Sequence, residues 1–188
     1  MDALQQVNIK LFAAPGSEIR LEDAIPVFHR WIQTSALPEL LIDVADYAHV
    51  PNGPGVMLIG HQANYSLDLG QGRLGLLYNR KARAEGDAGE SLRSAYQSAL
   101  AAAALLEREP AFAGRLRFLP DQLEIVLNDR LLYPNASATW TELEPAFSAF
   151  LQGVLGPAYE IEHARDPRER FQVYARAVAA ASSMSPVR

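Results

Sequence analysis

The side chains best suited to chemistry lie in one stretch of alternating apolar residues. Asp46 and His61 are the candidate catalytic pair, because an aspartate beside an imidazole can fix its tautomer and its protonation state. Arg80 is the candidate ligand-binding cation, since a guanidinium recognises anionic groups. Tyr65 and Tyr78 are expected to line the same pocket. Together these residues predict a site for a small anionic ligand.

The pairing register of the first predicted hairpin brings the candidate pair together. If its turn places Val50 opposite Gly55, the apolar residues of both strands share one face, whereas a slip of one residue would put polar residues there. In this register Asp46 and His61 are diagonal neighbours on the core-facing side of the sheet, within reach of each other. A two-residue loop in the next hairpin would set His61 opposite Arg80.

Two interpretations of this polar face stay open. In the first, Asp46 and His61 carry a function; in the second, they form a hydrogen-bonded pair that only fixes strand register, or a solvated end of the sheet. A metal site needs at least three ligands, and Asp43 and His49 fall on the opposite face, so we expect no metal. We predict no cofactor, because the sequence has no phosphate-binding loop and no dinucleotide fingerprint.

A second polar group, Asn128-Asp129-Arg130, follows a predicted strand. Functional sites are often built at such strand ends. The alternative, which we favour, is a turn closed by hydrogen bonds from its asparagine or aspartate side chain.

The hydrophobic pattern predicts the elements that must position these groups. Strands are predicted at 7–13, 40–50, 57–67, 74–78, 116–118 and 123–127, and helices at 21–37, 90–109, 139–156 and 166–178. Residues 39–81 form a three-stranded antiparallel meander, and a capping box of Thr139 and Glu142 opens the third helix. The order β-α-βββ-α-ββ-α-α defines an α+β fold, with a mostly antiparallel sheet and helices on one face. Its opening β-α-β unit could add a parallel pair.

The chain divides at Gly156 in this scheme. Residues 1–156 form a single α+β domain, and residues 157–188 form an appended helical arm with a frayed C-terminus. The arm carries Phe171, Tyr174 and Val178 at helical spacing, and this apolar stripe must be buried against the domain or against another chain. We therefore expect a homodimer or larger homo-oligomer formed through residues 157–188.

Composition narrows the class of protein. The chain has 188 residues, no cysteine and a formal net charge of −5, so it cannot hold a cysteine-ligated metal or use a thiol nucleophile. The acidic balance argues against a nucleic-acid partner, since such binders present a basic face to the phosphates. No signal peptide and no apolar run of about 20 residues is found, which predicts a cytoplasmic protein with no membrane span.

The stretch from Asp43 to His61, together with residues 75–78 and 128–135, resembles an uncharacterised bacterial protein family. The likeness covers about Val7 to Gly156. The resemblance implies a bacterial cytoplasmic protein and assigns no catalytic residue.

Two functions follow as hypotheses. The first is a non-enzymatic α+β module that self-associates or binds a partner, because no catalytic motif is recognised and an amphipathic arm is present. The alternative is a binding protein or enzyme for a small molecule, with Asp46, His61 and Arg80 at its site.

Overall fold

The computed structural model describes residues 2–163 and 166–178. Short 3₁₀ turns lie at Leu21–Asp23 and Gly70–Gly72. The main elements are β1 (Val7–Ala13), α1 (Ala24–Thr34), β2 (Leu41–Tyr47), β3 (Gly55–Gly60), β4 (Ala63–Asp68), β5 (Gly75–Arg80), α2 (Ala88–Arg108), β6 (Phe118–Leu127), α3 (Ser137–Leu155), β7 (Tyr159–Glu162) and β8 (Phe171–Ala177).

The described strands form one open antiparallel sheet in the order β2-β3-β4-β5-β1-β6-β8-β7. This confirms the predicted α+β class with a mostly antiparallel sheet. The parallel pair suggested for the opening β-α-β unit is wrong, because β1 pairs antiparallel with both β5 and β6. The first strand of the chain, β1, therefore lies in the interior of the sheet.

The hydrophobic core lies between one face of the sheet and the helices. Alternate residues of the strands point into it, as Val7, Ile9 and Leu11 do from β1, and each of the three described α-helices contributes buried side chains. Alanines line the buried side of α2 and let it lie close to β1 and β5. We call this side of the sheet the helix face, and the other side the open face.

The helices begin and end largely where the pattern predicted. Asp87 and Glu90 form a capping box at the start of α2, which satisfies two of the N–H groups left free at a helix N-terminus. The capping box predicted for α3 is wrong: that helix begins at Ser137, and its N-cap residue, Ala136, has no side-chain oxygen to accept a hydrogen bond.

The predicted three-stranded meander is a four-stranded one. The predicted strand 57–67 is broken by a two-residue turn at His61 and Gln62 into β3 and β4. Neither residue is a glycine, proline, asparagine or aspartate, so the usual turn signal is absent from the sequence. Similarly, the two short strands predicted at 116–118 and 123–127 are one strand, β6.

The predicted helix over 166–178 is also wrong. Residues 171–177 form β8, which pairs with β6, and β7 completes the sheet beyond it. Phe171, Val173 and Ala175 are buried in the core. Of the stripe predicted for the arm, the domain itself therefore covers Phe171, whereas Tyr174 is half-buried and Val178 is exposed. Self-association through 157–188 stays a prediction, and the frayed end expected at 182–188 lies outside the described residues.

None of the helices described here is long and apolar enough to cross a membrane.

Candidate functional site

The structure does not bring Asp46 and His61 together. Asp46 is opposite Val56 in the register, whereas His61 lies in the turn that follows the other end of β3. Five residues of extended strand separate these positions, roughly 16 Å. The predicted register is wrong because Val50 belongs to the turn after β2, where its N–H donates to the carbonyl of Tyr47.

The other three predicted site residues do meet, on the helix face. Tyr65 is directly opposite Tyr78, with ring centroids 5.2 Å apart. The Arg80 Nε donates to the Tyr78 hydroxyl at 3.2 Å. The predicted register between these strands was wrong by two residues, and an even shift leaves every side chain on its original face.

Glu39, which the sequence analysis missed, is the acidic partner of this group. Its carboxylate accepts hydrogen bonds from the Tyr65 hydroxyl and from the Ala63 N–H. Burial, and then the hydrogen bond to Glu39, raise the pKa of Tyr65, so this phenol stays protonated as a donor. The arrangement closes one end of the sheet, and ligand binding by Arg80, Tyr65 and Tyr78 stays a prediction.

Asp129 forms the predicted turn at the end of β6. Its Oδ1 accepts the N–H groups of Leu131 at 3.0 Å and of Leu132 at 3.1 Å. Its neighbour Asn128 has a different environment: it donates to the Asn8 Oδ1 at 3.1 Å and accepts from the Arg170 guanidinium at 2.7 Å. Asn128 therefore belongs to a polar network on the open face.

Buried polar side chains are concentrated on that open face. Asn8 and Lys10 on β1, and Ser66 and Asp68 on β4, are all buried there. The open face of an antiparallel sheet ordinarily meets water, so polar residues are expected on it, but buried ones are not. Burial of a charge is costly unless it is paired, which makes Lys10 the residue to explain.

Lys10 crosses a neighbouring strand to reach its partner. Its side chain is 3% exposed and forms an ion pair with Asp68, and its Nζ also donates to the Gly70 carbonyl at 3.0 Å. Between them lies Gly75 of β5, where an added Cβ would be 2.8 Å from the Lys10 Cε. Absence of a side chain at position 75 therefore opens the path for the lysine.

Glu124 of β6 is the second acid beside the lysine. It is directly opposite Lys10 in the register, and the Gln172 amide donates to its carboxylate. Burial raises the pKa of Glu124, with a further increase from the charge of Asp68, while Lys10 and Gln172 oppose the shift. The protonated carboxyl can donate a hydrogen bond, which an ionised one cannot.

These groups line a cleft, which we call the open-face cleft. Two adjoining depressions, of about 280 and 460 Å³, share Gln71, Glu124 and Gln172 in their walls. The turn at 52–54 and the loop at 70–71 form one rim, joined by a hydrogen bond from the Leu69 N–H to the Gly53 carbonyl. The opposite rim carries Arg170 and Gln172 of the β8 side.

The first rim contains strained backbone. Asn52 and Gln71 both have left-handed φ values, of 54° and 60°, and such conformations are uncommon outside glycine. Strained residues of this kind cluster at ligand sites. This observation is independent of the burial of Lys10 and points to the same cleft.

Cations complete the rims of the open-face cleft. Arg170 lies beside the smaller depression, and Arg73 beside the larger, where its guanidinium lies 3.7 Å from the centroid of the Phe12 ring. Both arginines are exposed at the rims, whereas Lys10 lies on the floor. The described residues contain no group of three His, Cys, Asp or Glu side chains placed to hold a metal ion.

The sequence contained one signal for this site. Lys10 and Asn8 alternate with the core residues of β1, and that pattern is typical of a solvated face, so the sequence alone does not show their burial. Only the pairing of β1 on both sides, together with the loops that fold over it, buries them.

Comparison with protein-family models, with curated proteins and with solved structures gives no match. The resemblance to a bacterial family therefore stays a prediction, and the interpretation of the cleft rests on its own geometry.

Proposed function

We propose that this chain is a binding module, and that the open-face cleft takes a small anionic ligand carrying a carboxylate or phosphate group. The observation that carries the proposal is Lys10, a lysine buried on the face of the sheet that no helix covers. A stability role alone would be met as well by apolar residues of similar size.

Hydrogen-bond donors dominate the cleft when Glu124 is protonated. The Lys10 ammonium, the Glu124 carboxyl and the Arg170 guanidinium then all present N–H or O–H groups to one volume. Charge-assisted hydrogen bonds to an anion are roughly twice as strong as neutral ones. Asp68 neutralises Lys10 but not Arg170, so this set of groups keeps a positive charge, which favours an anion over a cation.

The test is isothermal titration of the full chain with succinate and with inorganic phosphate, near pH 6. We expect at least one of the two to bind. Arg170→Gln should weaken that binding about tenfold, because it removes a charged hydrogen bond worth roughly 1.5 kcal/mol. The matched control is Arg93→Gln, which changes the net charge equally on the exposed side of α2.

The pH dependence of binding supplies a second readout. Affinity for the anion should fall as the pH rises through the raised pKa of Glu124, since the ionised carboxylate repels the ligand. Glu124→Gln should keep only the pH dependence that comes from the ligand's own ionisation. Failure of both anions to bind, or equal weakening by Arg170→Gln and Arg93→Gln, would contradict the proposal.

A further inference from the structure

The edge strand β2 combines features that a protein surface ordinarily avoids. It has only β3 as a described neighbour in the sheet, and it is seven residues long. Leu40, just before the strand, and Ile42 are 68% and 53% exposed, and Tyr47 at its other end and Val50 in the turn after it are also exposed. A long edge strand with exposed apolar residues and without lysine or proline is a template for pairing with another strand.

The strand at the opposite edge of the sheet, β7, is protected against pairing with another strand. β7 is four residues long, and Tyr159 and Ile161 pack against the core. Its alternate residues, Glu160 and Glu162, are exposed glutamates. Short length and exposed charge are the usual protections of an edge strand; β2 shares the exposed charge, in Asp43 and Asp46, but is seven residues long instead of four.

The charged residues of β2 indicate which kind of strand could pair with it. Residues 39–50 contain Glu39, Asp43 and Asp46 and no lysine or arginine. Asp43 and Asp46 are exposed, and each accepts one nearby backbone N–H, from Val44 and Ala48. Neither forms an ion pair with any residue that the structure describes.

A second copy of this chain fits the edge poorly. Pairing of β2 with another β2 would bring the two sets of Asp43 and Asp46 together, and pairing with β7 would set those aspartates near Glu160 and Glu162. Like charges on adjacent strands destabilise the pair. The complementary partner is therefore a strand that brings cations to these carboxylates.

We infer that β2 is a docking edge for an extended segment of another protein, in which apolar and basic residues alternate. The segment would add a strand to the sheet through main-chain hydrogen bonds. Because Asp43 and Asp46 lie on opposite faces of the sheet, its basic side chains would lie beside one of these aspartates, and its apolar side chains would cover the apolar residues of the other face. This inference does not depend on the open-face cleft, which is built on other strands.

The experiment uses a fluorescent heptapeptide of alternating valine and lysine, with valine–glutamate and proline-interrupted peptides as controls. Anisotropy measured with the full chain should show binding of the lysine peptide alone. Asp43→Lys with Asp46→Lys should weaken it about tenfold or more, since it reverses the aspartate charge on whichever face the lysines occupy. The matched control, Asp121→Lys with Glu144→Lys, has the same net charge and should bind like the wild type.

Amide chemical shifts locate the binding. They should change at 41–47 when the lysine peptide is added. Equal loss of affinity in both double variants would show a nonspecific attraction to an acidic protein and overturn the inference. So would an absence of binding, shifts confined to other strands, or a wild-type dimer that the Asp43→Lys, Asp46→Lys variant converts to a monomer.

Discussion

Replacement of Lys10 by methionine should destabilise the fold by about 3–5 kcal/mol, the usual cost of removing one partner of a buried ion pair. Methionine keeps the length of the side chain over Gly75 and removes only the ammonium. Asp68, whose side chain is 11% exposed, would keep the Gly70 N–H as a donor at 3.0 Å. One neutral hydrogen bond cannot compensate a buried carboxylate.

The double variant Lys10→Met, Asp68→Asn separates charge from packing. With both charges removed, no unpaired ion remains, so its stability should lie within about 1–2 kcal/mol of the wild type. The double variant should therefore be more stable than the Lys10→Met single variant, although it carries one more substitution. That reversal is the signature of a buried, mutually dependent pair.

Urea denaturation of the full chain, followed by circular dichroism, measures all four members of this cycle. The chain's other lysine provides the control: Lys81 is exposed, and its Nζ donates to the Gly60 carbonyl at 2.6 Å. Lys81→Met should cost no more than about 1 kcal/mol. If Lys10→Met is as mild as Lys81→Met, then water reaches the pair and the reasoning about the open face is refuted.

Two further predictions concern the same face. Gly75→Ala should destabilise the protein by about 1–3 kcal/mol, because the new Cβ would meet the Lys10 side chain and the Leu11 carbonyl. Its control is Gly153→Ala in the helix α3, where nothing lies within 4 Å of the new Cβ, and this variant should be more stable than the wild type by up to about 1 kcal/mol. The urea midpoints of both variants test this, and a stabilising Gly75→Ala would contradict the path assigned to Lys10. Because burial raises the pKa of Glu124, the folded state holds its proton above the ordinary glutamate range, so this stabilisation is complete at low pH and is lost as the pH rises through the raised pKa. Glu124→Gln should therefore flatten the decline of the urea midpoint as the pH rises above the ordinary glutamate pKa, about 4.3, and an unchanged slope would contradict the raised pKa of Glu124.

Local signals predicted the elements better than they predicted the register. β1 and α2 were read correctly from apolar spacing, and α2 needed only a shift of two residues at its start. β3 was assigned the wrong face because the turn at His61 and Gln62 has no turn residue to mark it. The missed turn reverses the alternation between β3 and β4, whereas Asp46 and His61 are separated by the different β2–β3 register and by the place of His61 in that turn.

The prediction for the C-terminal strand, β8, was wrong for a different reason. Residues 171–177 alternate between buried Phe171, Val173 and Ala175 and more polar neighbours, a period of two, but Phe171, Tyr174 and Val178 also fit helical spacing. A short segment can satisfy both periods. Pairing with β6 decides between them, and that contact is formed with a strand more than forty residues earlier in the chain.

The open-face cleft could not be predicted because no single segment contains it. Lys10 comes from β1, its partner Asp68 from β4, Glu124 from β6 and Arg170 from the approach to β8. At this one place the fold accepts a buried ion pair, a glycine within a strand and two left-handed rim residues, each of which lowers stability when taken alone. An apolar patch would have avoided all three costs. Their coincidence on the face that the helices leave open is what we expect if the proposed ligand uses the cleft.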